Sequence, residues 1–152
     1  MYKKYLNKIK INDNFIDKYL ESKSILRLKK VGFFCGMDYA SKDIYNFNEY
    51  VSRFDHSLDV AFLTYKFTDS RKAAISGLIH DISTPCFSHV IDYMNNDYAK
   101  QESTEEKTGE IIKNDKYLLE CLKKDKIEVD DIINFKKYTI IDNDRPKLCA
   151  NV

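Results

Sequence analysis

The sequence predicts an all-α domain, and three observations carry that expectation. Only four glycines and two prolines interrupt 152 residues, so the periodic stretches run long, which favours helices over hairpin-linked strands. Apolar residues recur at helical spacing along most of the chain. Capping residues stand where several of those stretches begin. A chain of this length buries about two-thirds of the surface its unfolded form exposes, so residues 1–152 are expected to form one domain with room for a buried polar site.

Phe15, Ile16, Tyr19 and Leu20 mark a first amphipathic helix. Ile25, Leu26, Leu28 and Val31 mark a second, which stops at Gly32, a natural helix terminator. Residues 33–48 are rich in aromatics, contain Gly36, Asp38, Ser41 and Asn48, and show no sustained period, so a loop with a short hairpin is expected there. From about Tyr50 to Phe67 apolar residues surround most of a helix, the pattern of a buried central element. Arg71 to Ile79 is apolar in the same way. Pro85 breaks the pattern, and Ser88 is a good N-cap for a helix from His89 to about Asn95. Ser103-Thr104-Glu105-Glu106 forms a capping box ahead of Ile111 and Ile112, and a further helix is expected near Asp115 to Leu122. Short apolar patches at Ile132-Ile133 and Ile140-Ile141 precede a polar turn at Asp142-Asn143-Asp144-Arg145-Pro146.

Composition excludes several classes. The 25 Lys plus Arg and 24 Asp plus Glu nearly cancel and alternate along the chain, so nucleic acid is not the favoured partner. Cys35, Cys86, Cys121 and Cys149 lack any Cys-x-x-Cys spacing, and Met1-Tyr2-Lys3-Lys4-Tyr5 lacks the apolar core of a signal peptide, so reduced thiols and a cytoplasmic location are expected. No apolar run approaches the roughly 20 residues of a membrane-spanning helix.

Chemistry concentrates in the middle of the chain. His56, His80 and His89 all lie in or beside apolar helices, and Asp81 follows His80 directly. Neutral imidazoles and a carboxylate are ligands for a first-row divalent metal, and crossing helices can bring three of them within the roughly 2.0–2.2 Å bonds such an ion needs. The bland alternative is a set of core histidines hydrogen-bonded to backbone. Asp81 weighs against it, because burying an unpaired carboxylate costs several kcal/mol that a cation offsets.

Arg53-Phe54-Asp55-His56-Ser57-Leu58, followed by His80-Asp81-Ile82-Ser83-Thr84-Pro85-Cys86-Phe87-Ser88-His89, resembles the HD superfamily of metal-dependent phosphohydrolases. The wording is most similar to the branch containing deoxynucleoside triphosphate triphosphohydrolases, with motifs R-F-E-H-S and H-D-x-G-H-x-P-F-S-H. Arg27-Leu28-Lys29 resembles the family's early R-L-[RK] element, and Gln101-Glu102-Ser103-Thr104 stands where many members carry His-Glu. The resemblance implies His56, His80 and Asp81 as metal ligands (Mn, Mg, Fe, Ni or Zn), with Arg53 and Gln101 as substrate contacts. The family's fourth ligand is the aspartate of an A-D-R-[LM]-[DE]-Y element; the match here is Cys149-Ala150-Asn151-Val152, so Asn151 takes that place, with Asp142 or Asp144 as alternatives.

Two imidazoles of the family pattern are replaced, by Thr84 in the H-D-x-G-H element and by Gln101 in the His-Glu pair. Proton transfer is therefore expected from His89, from Asp92 three residues on along one helix face, and from Glu102. Tyr45, Tyr50, Tyr93 and Tyr98 offer faces for a base or sugar, with packing as their ordinary role. The implied activity is metal-dependent hydrolysis of a phosphate ester or anhydride, with a phosphorylated small molecule of nucleotide type as substrate. The rival expectation is a truncated or degenerate HD domain that binds metal, nucleotide or a protein partner without turnover. Because family members continue past the A-D-R element, an apolar patch around the last helices and self-association are also expected.

Overall fold

The computed structural model describes residues 14–45, 50–88, 90–96, 107–143 and 148–150. The fold is all-α, and its centre is a helical hairpin. Helix α2 (Arg53–Thr68) opens with a capping box in which the Ser52 hydroxyl accepts from Asp55 N–H while the Asp55 carboxylate accepts from Ser52 N–H. It ends at Asp69, which adopts a left-handed φ of 53° and turns the chain. Ser70 then caps α3 (Arg71–Ile79) by accepting from Ala73 N–H. The helices approach closely at Gly77, where an added Cβ would stand 3.1 Å from Val60 Cγ1. Because α3 rises only about 13 Å over its nine residues, the return path carries His80 and Asp81 to the first half of α2.

Ahead of this hairpin come a 3-10 helix (Asn14–Glu21), α1 (Lys23–Leu26) and a second 3-10 helix (Arg27–Lys30). The expected first two helices are therefore present, tighter than α-helical spacing implied. Their apolar residues Ile16, Tyr19, Ile25 and Leu28 join Ile75, Leu78, Ile79, Ile112, Leu118 and Leu122 in the main core. Ser22 caps α1 and also donates to Asp115, whose carboxylate caps α6 (Lys116–Lys124). One buried polar contact thus fixes two helix starts relative to each other.

The hairpin expected in 33–48 is replaced, among its described residues, by a turn and a 3-10 helix (Cys35–Tyr39). The segment's two flanks meet instead, in a single antiparallel bridge between Gly32 and Ser52. An added Cβ at Gly32 would lie 2.1 Å from Asp38 Oδ2, so any larger residue there displaces the Asp38 side chain.

Beyond the hairpin lie α4 (Val90–Met94), α5 (Thr108–Asn114), α6, α7 (Val129–Ile133) and a last 3-10 helix (Phe135–Lys137). The capping box at 103–106 falls outside the described residues. Val60, Phe135 and Ile141 form a smaller cluster flanked by Tyr138, Ile140 and Ala150. Of the apolar side chains around the last helices, Leu118, Leu122, Ile132, Phe135 and Ile141 are buried while Tyr117 and Leu148 are exposed, and further exposed apolar side chains include Met37, Tyr39, Tyr50, Phe87 and Met94. Ala150 N–H bonds to Ile140 C=O beside the smaller cluster. No described helix is long and apolar enough to cross a membrane.

Candidate metal centre

His56 lies one turn into α2, on the face that also carries Arg53, and His80 and Asp81 end α3. After α3 the chain tightens, with Ile82 N–H bonded to Ile79 C=O and Thr84 N–H to Asp81 C=O, so both consecutive side chains turn inward. His56, His80 and Asp81 are all buried, and each offers a ligand atom within 4.8 Å of the other two. Asp81 Oδ2 stands 3.9 Å from His56 Nε2 and 3.6 Å from His80 Nε2. With bonds of about 2.1 Å, two donors on one metal lie about 3–3.5 Å apart, so each of these two carboxylate–imidazole pairs needs to contract by only a few tenths of an ångström.

The chemistry of the donors fits an ion as well as their spacing does. His80 Nδ1 lies 2.7 Å from Gly77 C=O. A carbonyl only accepts, so Nδ1 carries the proton and the lone pair of neutral His80 sits on Nε2, facing Asp81 and His56. Two imidazoles and one carboxylate suit a first-row transition metal better than magnesium.

Several residues hold Asp81. Arg53 Nη1 donates to Oδ2 at 3.1 Å, and Thr84 Oγ1 donates to Oδ1 at 3.0 Å. Burial alone would raise the Asp81 pKa, but His80 and His56 when protonated, together with Arg53 and the Thr84 hydroxyl, hold it well below the usual carboxylate range. Arg53 Nε donates to buried Ser88 Oγ at 3.0 Å. Arg27 Nη2 donates to both Ile82 C=O and Thr84 C=O at 2.8 Å, tying down the turn that follows the His-Asp pair. Phe33 closes one side, its ring 5.0 Å from Arg53 Cζ and 4.7 Å from the His56 ring. The Phe135 ring approaches His80 edge-on at 5.8 Å.

His56, His80, Asp81 and Arg53 are thus brought together as the sequence suggested. Asp92 is fully buried on α4, close in sequence to the Ser88 that holds Arg53. His89, Gln101, Glu102, Asp144 and Asn151 lie outside the described residues. Asp142 is described and does not belong to the ligand group. Ser88, read as an N-cap, has a φ of 51°, far from the extended geometry of that position, and its hydroxyl takes Arg53 instead. Sequence reading missed Phe33 entirely, since an aromatic residue in an aperiodic loop carries no signal of where its ring goes. It read Thr84 only as a lost imidazole, whereas the side chain supports Asp81.

A family model described as HD domain matches residues 53–144. The uncharacterized protein YdhJ of Bacillus subtilis (strain 168) is 26% identical over 140 residues, covering 91% of this chain and 41% of the relative. The chain therefore spans well under half the length of that relative. No solved structure matches.

Proposed function

The chain belongs to the HD domain family, and on that premise we propose that it is a metal-dependent phosphohydrolase acting on a phosphate ester or anhydride of nucleotide type. The observation that carries this reading is a buried arginine, Arg53, touching the same Asp81 oxygen that faces both histidines. A cation site beside a guanidinium suits a phosphoryl group, whose oxygens take both.

In this reading His56, His80 and Asp81 hold a divalent cation, which when bound polarises a phosphoryl oxygen and makes water a better nucleophile. Arg53 presents its remaining N–H groups to phosphoryl oxygens while Ser88 and Asp81 fix its plane. Thr84 and Arg27 keep Asp81 aimed. His89 protonates the leaving oxygen, Asp92 three residues on favours its charged form, and Gln101 and Glu102 complete the substrate and proton contacts. Asn151 is the fourth ligand. The exposed rings of Tyr39 and Phe87, 5.5 Å apart, and of Tyr50 offer faces for the base of a nucleotide substrate.

One observation favours binding without turnover. Thr84, at the place of a family imidazole, is committed to Asp81 and cannot shuttle a proton as histidine does. Both readings are tested by loading the chain with manganese and offering nucleoside mono-, di- and triphosphates. The proposed activity gives phosphate release that vanishes in His56→Gln and Arg53→Met. Tight nucleotide binding with no release, in chain that retains manganese, would establish the second reading.

A further inference from the structure

We infer that Phe33 is a positioning residue that sets Arg53 and His56 at once, and through them both the anion contact and the metal site. The inference rests on the function proposed for those two residues.

Three observations lead to it. The first is contact: one ring lies 5.0 Å from the Arg53 guanidinium carbon and 4.7 Å from the His56 ring, inclined at 38°. The second is anchorage. Phe33 N–H donates to Val51 C=O at 3.0 Å, and Arg53 N–H donates to Val31 C=O at 2.8 Å, on either side of the Gly32–Ser52 bridge. The backbone carrying the ring is therefore bonded to the residues that start α2, which holds the Phe33 backbone in place relative to Arg53. The third is the absence of slack at Gly32, where Asp38 fills the space a side chain would need.

The device suits an anion-contacting arginine. A guanidinium lying over an aromatic face is attracted to it without consuming any N–H, because its N–H groups donate in their own plane. Nε and Nη1 are held by Ser88 and Asp81, and among the described residues Nη2 meets the weakly accepting Cys35 sulfur at 3.9 Å. Orientation is thus fixed while donors stay available for a phosphate. The same ring limits rotation of His56, whose Nε2 must face Asp81 Oδ2. An aliphatic side chain of similar bulk fills the space but lacks the electron-rich face.

The test uses inorganic phosphate as probe, titrated calorimetrically into the manganese-loaded full chain, with manganese affinity measured separately. Phe33→Leu is expected to weaken phosphate binding about tenfold and manganese binding to a smaller extent. Phe33→Tyr, which restores the ring, is expected to stay within about twofold of wild type. In an Arg53→Lys background, which lacks the planar fork of donors that the ring orients, Phe33→Leu should add little further loss. Should Phe33→Leu fail to fold, Phe33→Met carries the same comparison. Wild-type phosphate affinity in Phe33→Leu, with clear loss in Arg53→Lys, would overturn the inference and leave the proposed function standing. Equal loss in Phe33→Leu and Phe33→Tyr would overturn it too, because packing and not the ring face would be responsible. No effect from either Phe33→Leu or Arg53→Lys would overturn both.

Discussion

Thr84 offers a direct way to separate two accounts of this site, because family likeness reads it as a missing imidazole and its contacts make it a support for a ligand. Thr84→Val is nearly isosteric and removes one hydroxyl at a position only 3% exposed. The lost hydrogen bond reaches a buried carboxylate oxygen at 3.0 Å. Bonds to charged groups contribute about 1.5–3 kcal/mol net, and Arg53 still holds the other oxygen. A destabilisation of about 2 kcal/mol is therefore expected, which for a chain of this size lowers the melting temperature by about 4–8 °C. Metal affinity should fall as well, because removing the partner of a ligating carboxylate typically costs about 10–100-fold. The assays are thermal melting by circular dichroism and manganese titration, each with Thr84→Ser as the control that keeps the hydroxyl. Thr84→Val that melts with, and binds manganese as tightly as, Thr84→Ser would refute the reasoning. Thr84→His, which restores the family's residue type, should bind metal worse than wild type because it removes this support.

Three further outcomes follow from the same structure. Asp59 has its carboxyl pushed up to about 6 from 3.8 by burial, so its protonated form is favoured by folding; the stability this gives is full below about pH 4 and lost as pH rises through about 6. Asp59→Asn should thus be more stable than wild type at pH 7.5, by about 1 kcal/mol after allowing for its partial exposure, and denaturant melts should show the difference vanish near pH 4. Gly32→Ala should lower the melting temperature by several degrees through collision with Asp38, and Asp38→Gly in the same chain should restore most of it; absence of rescue would mean the collision is not the cause. Ser52→Ala should cost about 1 kcal/mol through loss of the α2 cap, read in chemical denaturation, and should weaken phosphate binding because Arg53 is the first residue of that helix.

What the sequence disclosed and what it hid divide along physical lines. Helices α2 and α3 were legible because each is apolar around much of its surface, and the His-Asp pair was legible because a carboxylate beside an apolar run demands a counter-charge. The 3-10 segments at 14–21 and 27–30 were read as ordinary helices, since residues three apart share a face in both geometries. The loop between Phe33 and Tyr45 gave no period because its order comes from contacts distant in sequence: Gly32 with Ser52, Tyr39 with Cys86, Phe33 with Arg53. The roles of Thr84, Ser88 and Arg27 were hidden for the same reason. Each acts through one hydrogen bond or two to a group that residue type alone does not identify.

The central claim is that His56, His80 and Asp81 hold one divalent cation, and pulsed electron paramagnetic resonance of bound manganese tests it most directly. One ion per chain is predicted, with modulation from two histidine nitrogens, dropping to one nitrogen in His56→Gln and to the free-ion signal in His80→Gln combined with Asp81→Asn. Bound manganese without nitrogen modulation, or binding undiminished in the doubly substituted chain, would contradict the account.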